Sequence, residues 1–215
     1  MRVVIGEDEV LLREGLRNLL HAAGFETVAT AGDADALLAS VLEHRPDLVV
    51  TDIRMPPSYT DEGIRVAIRA SELAPETAFV VLSQHVHRQY AVELLRSQQG
   101  GVGYLLKQRI AHVEDFIGDL HRVAAGSVVL DPEVVATAMS RAERRDSPVN
   151  RLTARQRDVL ALFARGFSNS AVAEQLAITE KAVVAHASRI YDVLDLPVSD
   201  QEHRRVRAVL HFLSG

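Results

Sequence analysis

The sequence predicts an α/β domain built on a doubly wound parallel sheet, followed by an all-α domain of four helices that contains a helix-turn-helix. Short, almost continuously apolar runs alternate with amphipathic helical stretches in the first half, and helix signals without strand signals fill residues 151–215. A length of 215 residues exceeds one average domain, and 47% hydrophobic with 25% charged residues gives ample material for two cores.

The apolar runs are Arg2-Val3-Val4-Ile5, Asp47-Leu48-Val49-Val50-Thr51, Ala78-Phe79-Val80-Val81-Leu82 and Val102-Gly103-Tyr104-Leu105-Leu106. Continuous apolarity suits strands covered by helices on both faces. A parallel, doubly wound sheet gathers the carboxyl ends of its strands along one edge, and ligands bind in the crevice there. Glu7 and Asp8 follow the first run, Asp52 ends the second, Ser83 ends the third and Lys107 ends the fourth. All five should meet at that edge.

Each residue type fits a step of phosphoryl chemistry. Three crowded carboxylates repel one another, so the cluster is stable mainly around a divalent cation, and hard oxygen ligands select Mg²⁺. Asp52 is then the nucleophile, giving an acyl phosphate, while a fixed ammonium neutralises charge on the transferred oxygens. Lys107 is that ammonium; the only other lysine is Lys181, in a chain that otherwise uses arginine. Ser83 offers a hydroxyl donor. Alone, an aspartate after a strand reads as a cap and a lysine as part of a solvated face. The coincidence of all five at successive strand ends points to a phosphorylation site.

Residues 1–125 resemble the receiver domain of a two-component response regulator. Ile5-Gly6-Glu7-Asp8 resembles the acidic pair, Thr51-Asp52-Ile53-Arg54-Met55-Pro56 the phosphoacceptor segment, Val81-Leu82-Ser83 the hydroxyl switch, and Gly103-Tyr104-Leu105-Leu106-Lys107 the aromatic and lysine. The resemblance implies a flavodoxin-like, five-stranded sheet. It also implies Mg²⁺ held by Glu7, Asp8, Asp52 and the backbone carbonyl of Arg54, with Tyr104 as a rotameric switch coupled to Ser83. After Pro56 the chain departs from the commonest pattern: Pro57-Ser58-Tyr59-Thr60 makes a loop about three residues longer. A phosphohydrolase on a similar sheet would want a second carboxylate two residues after the nucleophile, where this chain has Arg54.

No stretch is long enough to span a membrane, the amino terminus enters a strand directly, and there is no cysteine. These features predict a cytoplasmic protein without signal peptide, disulfide or membrane partner. Net charge is −6 over residues 1–125, −1 over 126–150 and +2 over 151–215, so the acidic chain carries a faintly basic end. Residues 126–150 read as a helical linker: Asp131-Pro132-Glu133 starts a helix through Met139, and a polar, charged stretch ends at Pro148.

In residues 151–215, Thr153-Ala154-Arg155-Gln156 and Ser199-Asp200-Gln201-Glu202 both fit a capping box. Helices are expected at 153–165, 169–176, 180–194 and 200–212, with Gly166-Phe167-Ser168 and Ala177-Ile178-Thr179 as turns. Val183, Ala187, Ile190 and Leu194 form the apolar stripe of the third helix, leaving Lys181, Val184, Ala185, His186, Ser188 and Arg189 outward. Leu152-Thr153-Ala154-Arg155-Gln156-Arg157-Asp158-Val159-Leu160 and Gly166-Phe167-Ser168-Asn169 resemble the LuxR-type DNA-binding domain, and the whole chain resembles a NarL/FixJ-type regulator.

That resemblance implies a third helix in the major groove of double-stranded promoter DNA. Arg155, Ser168, Asn169, Lys181, His186 and Arg189 would contact phosphates, with Val184 and Ala185 at the base edges. A cognate sensor histidine kinase and a homodimer, at least when phosphorylated, are the further partners implied. The recognition helix has Ala182 and Val184 where a threonine and a lysine or other long polar side chain are usual, which leaves a second reading: a phosphorylation-dependent interaction switch whose terminal domain binds DNA weakly or not specifically. In either case the output is regulation, not a metabolic product.

Overall fold

The computed structural model describes residues 1–97, 101–142, 148–197 and 204–214. The chain divides into two compact units, Met1–Val129 and Leu130–Gly215. In order, the elements are β1 (Arg2–Gly6), α1 (Val10–Ala22), β2 (Glu26–Ala31), α2 (Ala34–His44), β3 (Leu48–Asp52), α3 (Glu62–Leu73), β4 (Ala78–Ser83), α4 (Arg88–Ser97), β5 (Val102–Leu106), α5 (Val113–Ala124), β6 (Val128–Leu130), α6 (Pro132–Ala142), α7 (Ala154–Ala164), α8 (Asn169–Gln175), α9 (Glu180–Val193) and α10 (Arg204–Ser214). Among the described residues, no helix is long and apolar enough to cross a membrane.

The sheet runs β2-β1-β3-β4-β5-β6, and the pairings from β2 through β5 are parallel. The four central apolar runs became strands because both faces are covered: every residue of β3, β4 and β5 is buried. Register then aligns their ends. Gly6 lies opposite Thr51, Asp52 opposite Leu82, and Ser83 opposite Leu106. The residues that follow these positions are therefore delivered to one edge.

The expectation of five strands is corrected to six. Val128-Val129-Leu130 adds a short, buried strand inside the segment read as a helical linker, where three apolar residues carry no periodicity to separate strand from helix. Within the same segment Pro132–Ala142 forms α6, which packs on α10. Residues 143–147 and the second expected capping box at 199–202 lie outside the described residues, apart from which α10 begins at Arg204.

In the second unit the Thr153 capping box forms as expected: Thr153 Oγ1 accepts from the Gln156 amide and Gln156 Oε1 accepts from the Thr153 amide at 2.8 Å. Gly166, at φ 79, ends α7, and Thr179 Oγ1 caps α9 by accepting from the Ala182 amide at 3.1 Å. Val183, Ala187, Ile190 and Leu194 are buried, as are Val159 and Phe163 of α7 and Val209 and Phe212 of α10, and α9 packs on α7, α8 and α10. Ala208, Val209, Phe212 and Leu213 of α10 thus belong to this unit's own core.

Candidate phosphoacceptor pocket and helix-turn-helix face

The sheet edge brings the predicted pocket together. Lys107, just after β5, donates from Nζ to Asp52 Oδ2 at 2.7 Å and to Glu7 Oε2 at 2.9 Å. Glu7, Asp8 and Asp52 each offer a carboxylate oxygen, and these oxygens lie within 4.8 Å of one another. One ammonium faces three acids, so the donor set is all oxygen with net negative charge, which fits a hard divalent cation. Burial pushes the Glu7 carboxyl up, the Asp52 charge adds to this, and Lys107 only partly offsets both. Burial alone would lower the Lys107 ammonium; hydrogen bonds and charges from Asp52 and Glu7 outweigh it and raise it.

Ser83 and Tyr104 converge on one acceptor. Ser83 Oγ donates to the His85 carbonyl at 2.7 Å, and the Tyr104 hydroxyl donates to the same oxygen at 3.0 Å while accepting from the His87 amide at 3.1 Å. The Tyr104 ring is fully buried, so it occupies the inward position. Asp52, Ile53, Arg54, Ser83, Gln84, His85 and His87 line a cavity of about 30 Å³. That is room for about two waters, too little for a metabolite.

On the helix-turn-helix, Lys181, Val184, Ala185, Ser188 and Arg189 are all exposed along one side of α9, and His186 is half-buried. Two expected phosphate contacts are engaged internally: Arg155 donates to the Leu176 carbonyl at 2.7 Å, and Asn169 Oδ1 accepts from Arg205 at 2.7 Å. Ser168 is exposed at the head of α8, its Oγ accepting from the Ala171 amide at 3.3 Å.

Comparison with known proteins decides the family. Residues 3–115 match the response regulator receiver domain, and residues 150–198 match the bacterial regulatory proteins of the luxR family. The chain belongs to the response regulators. It is 30% identical over 205 residues to the oxygen regulatory protein NreC of Staphylococcus haemolyticus, covering 91% of this chain and 92% of that one. The response regulator ChrA of a heme-sensing two-component system is 27% identical with a TM-score of 0.50, covering 98% of this chain and 94% of ChrA. RcsB of Salmonella typhimurium shares the fold at 23% identity and a TM-score of 0.55, covering 100% of this chain and 98% of RcsB. Receiver and LuxR-type helix-turn-helix domain together make the chain a DNA-binding regulator of transcription.

Several residues that shape this response regulator's site escaped sequence reasoning. Arg13 of α1 donates to the Glu7 carbonyl at 2.6 Å and the Asp8 carbonyl at 3.4 Å, fixing the acidic pair from behind. Arg205 of α10 reaches Asn169 and the Phe167 carbonyl and lies 3.8 Å over the Phe163 ring, bracing the start of α8. His87 lines the cavity, and its Nε2 is buried without a hydrogen-bond partner among the described residues. The helical spacing of an arginine carries no information about a carbonyl on another element, so only the fold exposes these contacts.

The lengthened loop after Pro56 is a tied structure. Glu62 accepts from the Ser58 amide at 3.2 Å, from the Thr60 amide at 2.8 Å and from the Ser58 hydroxyl. Burial pushes the Glu62 carboxyl up, but the Ser58 hydroxyl and the surrounding amides overcome it and hold the carboxyl below its ordinary value. Gly63 anchors the loop to the pocket strand: a Cβ there would fall 1.9 Å from the Asp52 carbonyl oxygen, so only glycine permits the approach. Tyr59 stands at the tip, 54% exposed.

Proposed function

We propose that Asp52 accepts a phosphoryl group from a sensor histidine kinase or a small phosphodonor, and that the acyl phosphate changes how this regulator binds promoter DNA. The observation that carries the reading is the Lys107 ammonium held between Asp52 at 2.7 Å and Glu7 at 2.9 Å beside an open cavity.

An Asp52 oxygen attacks phosphorus, the bond from phosphorus to the donor's histidine nitrogen breaks, and the electron pair leaves with the imidazole. Lys107 supplies positive charge to the phosphoryl oxygens without giving up its proton. Glu7, Asp8, Asp52 and the backbone carbonyl of Arg54 are the groups that would hold Mg²⁺. When bound, the ion neutralises the excess charge of the acids and of the transferred oxygens. Ser83 turns its hydroxyl from the His85 carbonyl to a phosphoryl oxygen. Tyr104 shares that carbonyl, so the change at the pocket reaches the aromatic switch and shifts the population of receiver conformations.

The output runs through α9 in the major groove. Lys181, Arg189 and His186 of α9, with Arg155, Ser168 and Asn169, contact phosphates; Val184 and Ala185 face base edges. The phosphorylated form acts as a homodimer, and with promoter DNA as its target it works in the cytoplasm.

Intact-mass spectrometry after incubation with Mg²⁺ and acetyl phosphate, on wild type and Asp52→Ala, tests this, with the same samples passed over immobilised genomic DNA fragments. One phosphoryl mass on wild type alone, with fragment retention changing in parallel, is the expected result. No adduct, even with candidate kinases present, would overturn the phosphoacceptor assignment. An adduct without retention would favour the interaction switch, for which the exposed Val184 side chain is the supporting observation.

A further inference from the structure

The outward side of α9 has an unusual distribution of chemistry for a helix that enters a groove. Lys181, Val184, Ala185, Ser188 and Arg189 are spaced i, i+3, i+4, i+7 and i+8, and all are exposed. The cations stand at the two ends. The centre is apolar, and Val184 keeps 54% of its surface in water although it belongs to no core. The core side of the same helix is already complete: Val183, Ala187 and Ile190 are buried, and Thr179 caps the first turn. Among the described residues, the core of this unit is thus built without Val184.

The major groove offers this centre one matching partner. Adenine calls for an amide side chain and guanine for a guanidinium or ammonium, whereas the C5 methyl of thymine is the groove's apolar feature and takes apolar contact. No asparagine or glutamine stands on the outward side of α9, and Lys181 and Arg189 lie one turn to either side of Val184 and Ala185. His186 is half-buried with a buried Nδ1, which removes it from the centre of the surface.

Resting on the DNA-binding reading above, we propose that Val184, with Ala185 beside it, reads the C5 methyl groups of thymines, so that this regulator selects sites by methyl-bearing pyrimidines at the centre of each half-site. The flanking cations hold the phosphates and set the register. Removing one contacted methyl weakens binding about fourfold, the change that burial of one methyl-sized group produces.

The test uses the full-length chain phosphorylated with acetyl phosphate. A random duplex pool is selected for binding, and the enriched site is rebuilt with deoxyuridine in place of each thymine in turn, which removes the methyl and leaves the pairing unchanged. Binding should fall about fourfold at one or two positions per half-site and stay constant elsewhere. Val184→Ala, at an exposed helical position, should retain the wild-type melting temperature and lose the thymine preference. Lys181→Ala should weaken thymine and uracil sites equally. An enriched site bound equally well with uracil at every position, or a Val184→Ala protein that still prefers thymine, would overturn the inference alone. Failure to enrich any site would remove the DNA-binding reading together with it.

Discussion

Glu7 and Glu62 belong to one domain and are almost equally hidden from water, at 0% and 4% exposure, yet their carboxyls are driven in opposite directions. Burial pushes Glu7 up and the neighbouring Asp52 charge reinforces it, with a single ammonium, Lys107, shared between the two acids. Burial pushes Glu62 up as well, but the Ser58 hydroxyl and backbone amides of the loop surround it with donors and bring it down. Both are covered at the surface, but Glu7 lies deeper under packed protein than Glu62, and the supply of donors differs as well. A buried carboxylate that is fully solvated by donors is a structural device, whereas one left short of positive charge stores a demand for a cation and for a phosphoryl group's partners.

The largest test of that contrast is Glu7→Gln. If Glu7 holds the ion as proposed, the variant should lower the rate of Mg²⁺-dependent phosphorylation at least about tenfold, since loss of an outer partner of a metal ligand alone costs that much. In buffer without divalent cations the same variant should melt about 3 °C higher, the shift that ~1 kcal/mol produces in a protein of this size. Acetyl phosphate kinetics by intact mass and thermal melts read the two effects. A variant that loses activity and stability together would mean that Glu7 is a structural group like Glu62.

Glu62→Gln should behave in the opposite way. Replacing one carboxylate oxygen by an NH₂ sets donor against donor at the Ser58 and Thr60 amides, at a cost of about 2 kcal/mol for a lost hydrogen bond to a charged group. Amides of residues 58–60 should then exchange faster with solvent, while Mg²⁺ affinity changes little. Unchanged exchange would show that the loop is held by Gly63 and its proline pair, without Glu62.

Acidification sharpens the contrast further. The Glu7 carboxyl lies above its ordinary value of 4.5, so its contribution to stability is present below that value and is lost as pH rises through the higher folded value. The Glu62 carboxyl lies below 4.5, so its contribution is present above that value and is lost as pH falls through the lower folded value. In metal-free buffer, denaturant melts at neutral pH should find Glu7→Gln more stable than wild type and Glu62→Gln less stable. The Glu7 gap should close as pH falls from the higher folded value toward 4.5, and the Glu62 gap only as pH falls below 4.5 through the lower folded value, from the opposite side. Gaps that stay parallel across this range would show that packing, and not charge, separates the two sites.

The same distinction explains what the sequence disclosed. Glu7, Asp8, Asp52, Ser83 and Lys107 were legible because parallel topology delivers each strand's end to one edge, and long apolar runs mark those strands. β2 was not, because as an edge strand its Glu26-Thr27-Val28-Ala29-Thr30-Ala31 needs no continuous apolar face. β6 was too short to show a period. The Glu62 tether was hidden for another reason: Ser58-Tyr59-Thr60-Asp61-Glu62 reads as an ordinary polar loop, and only its backbone turns the carboxylate back onto the preceding amides. Engagement of Asn169 by Arg205 was likewise invisible, since 36 residues separate them.

The smallest effect sits where the two regimes meet, at the His85 carbonyl. This oxygen receives the hydroxyls of Ser83 and Tyr104, so neither donor is indispensable while both are present. Tyr104→Phe and Ser83→Ala should each cost about 1 kcal/mol of stability, and the double variant should cost more than their sum by about 0.5 kcal/mol, because only then is the carbonyl short of both hydroxyls. A double-mutant cycle by urea denaturation measures the difference. Additive costs would mean that the two hydroxyls act on His85 independently, and Ser83 could then turn toward a phosphoryl oxygen without Tyr104 registering the change. A positive coupling makes the carbonyl the point at which a charge-starved pocket is read by a well-packed core.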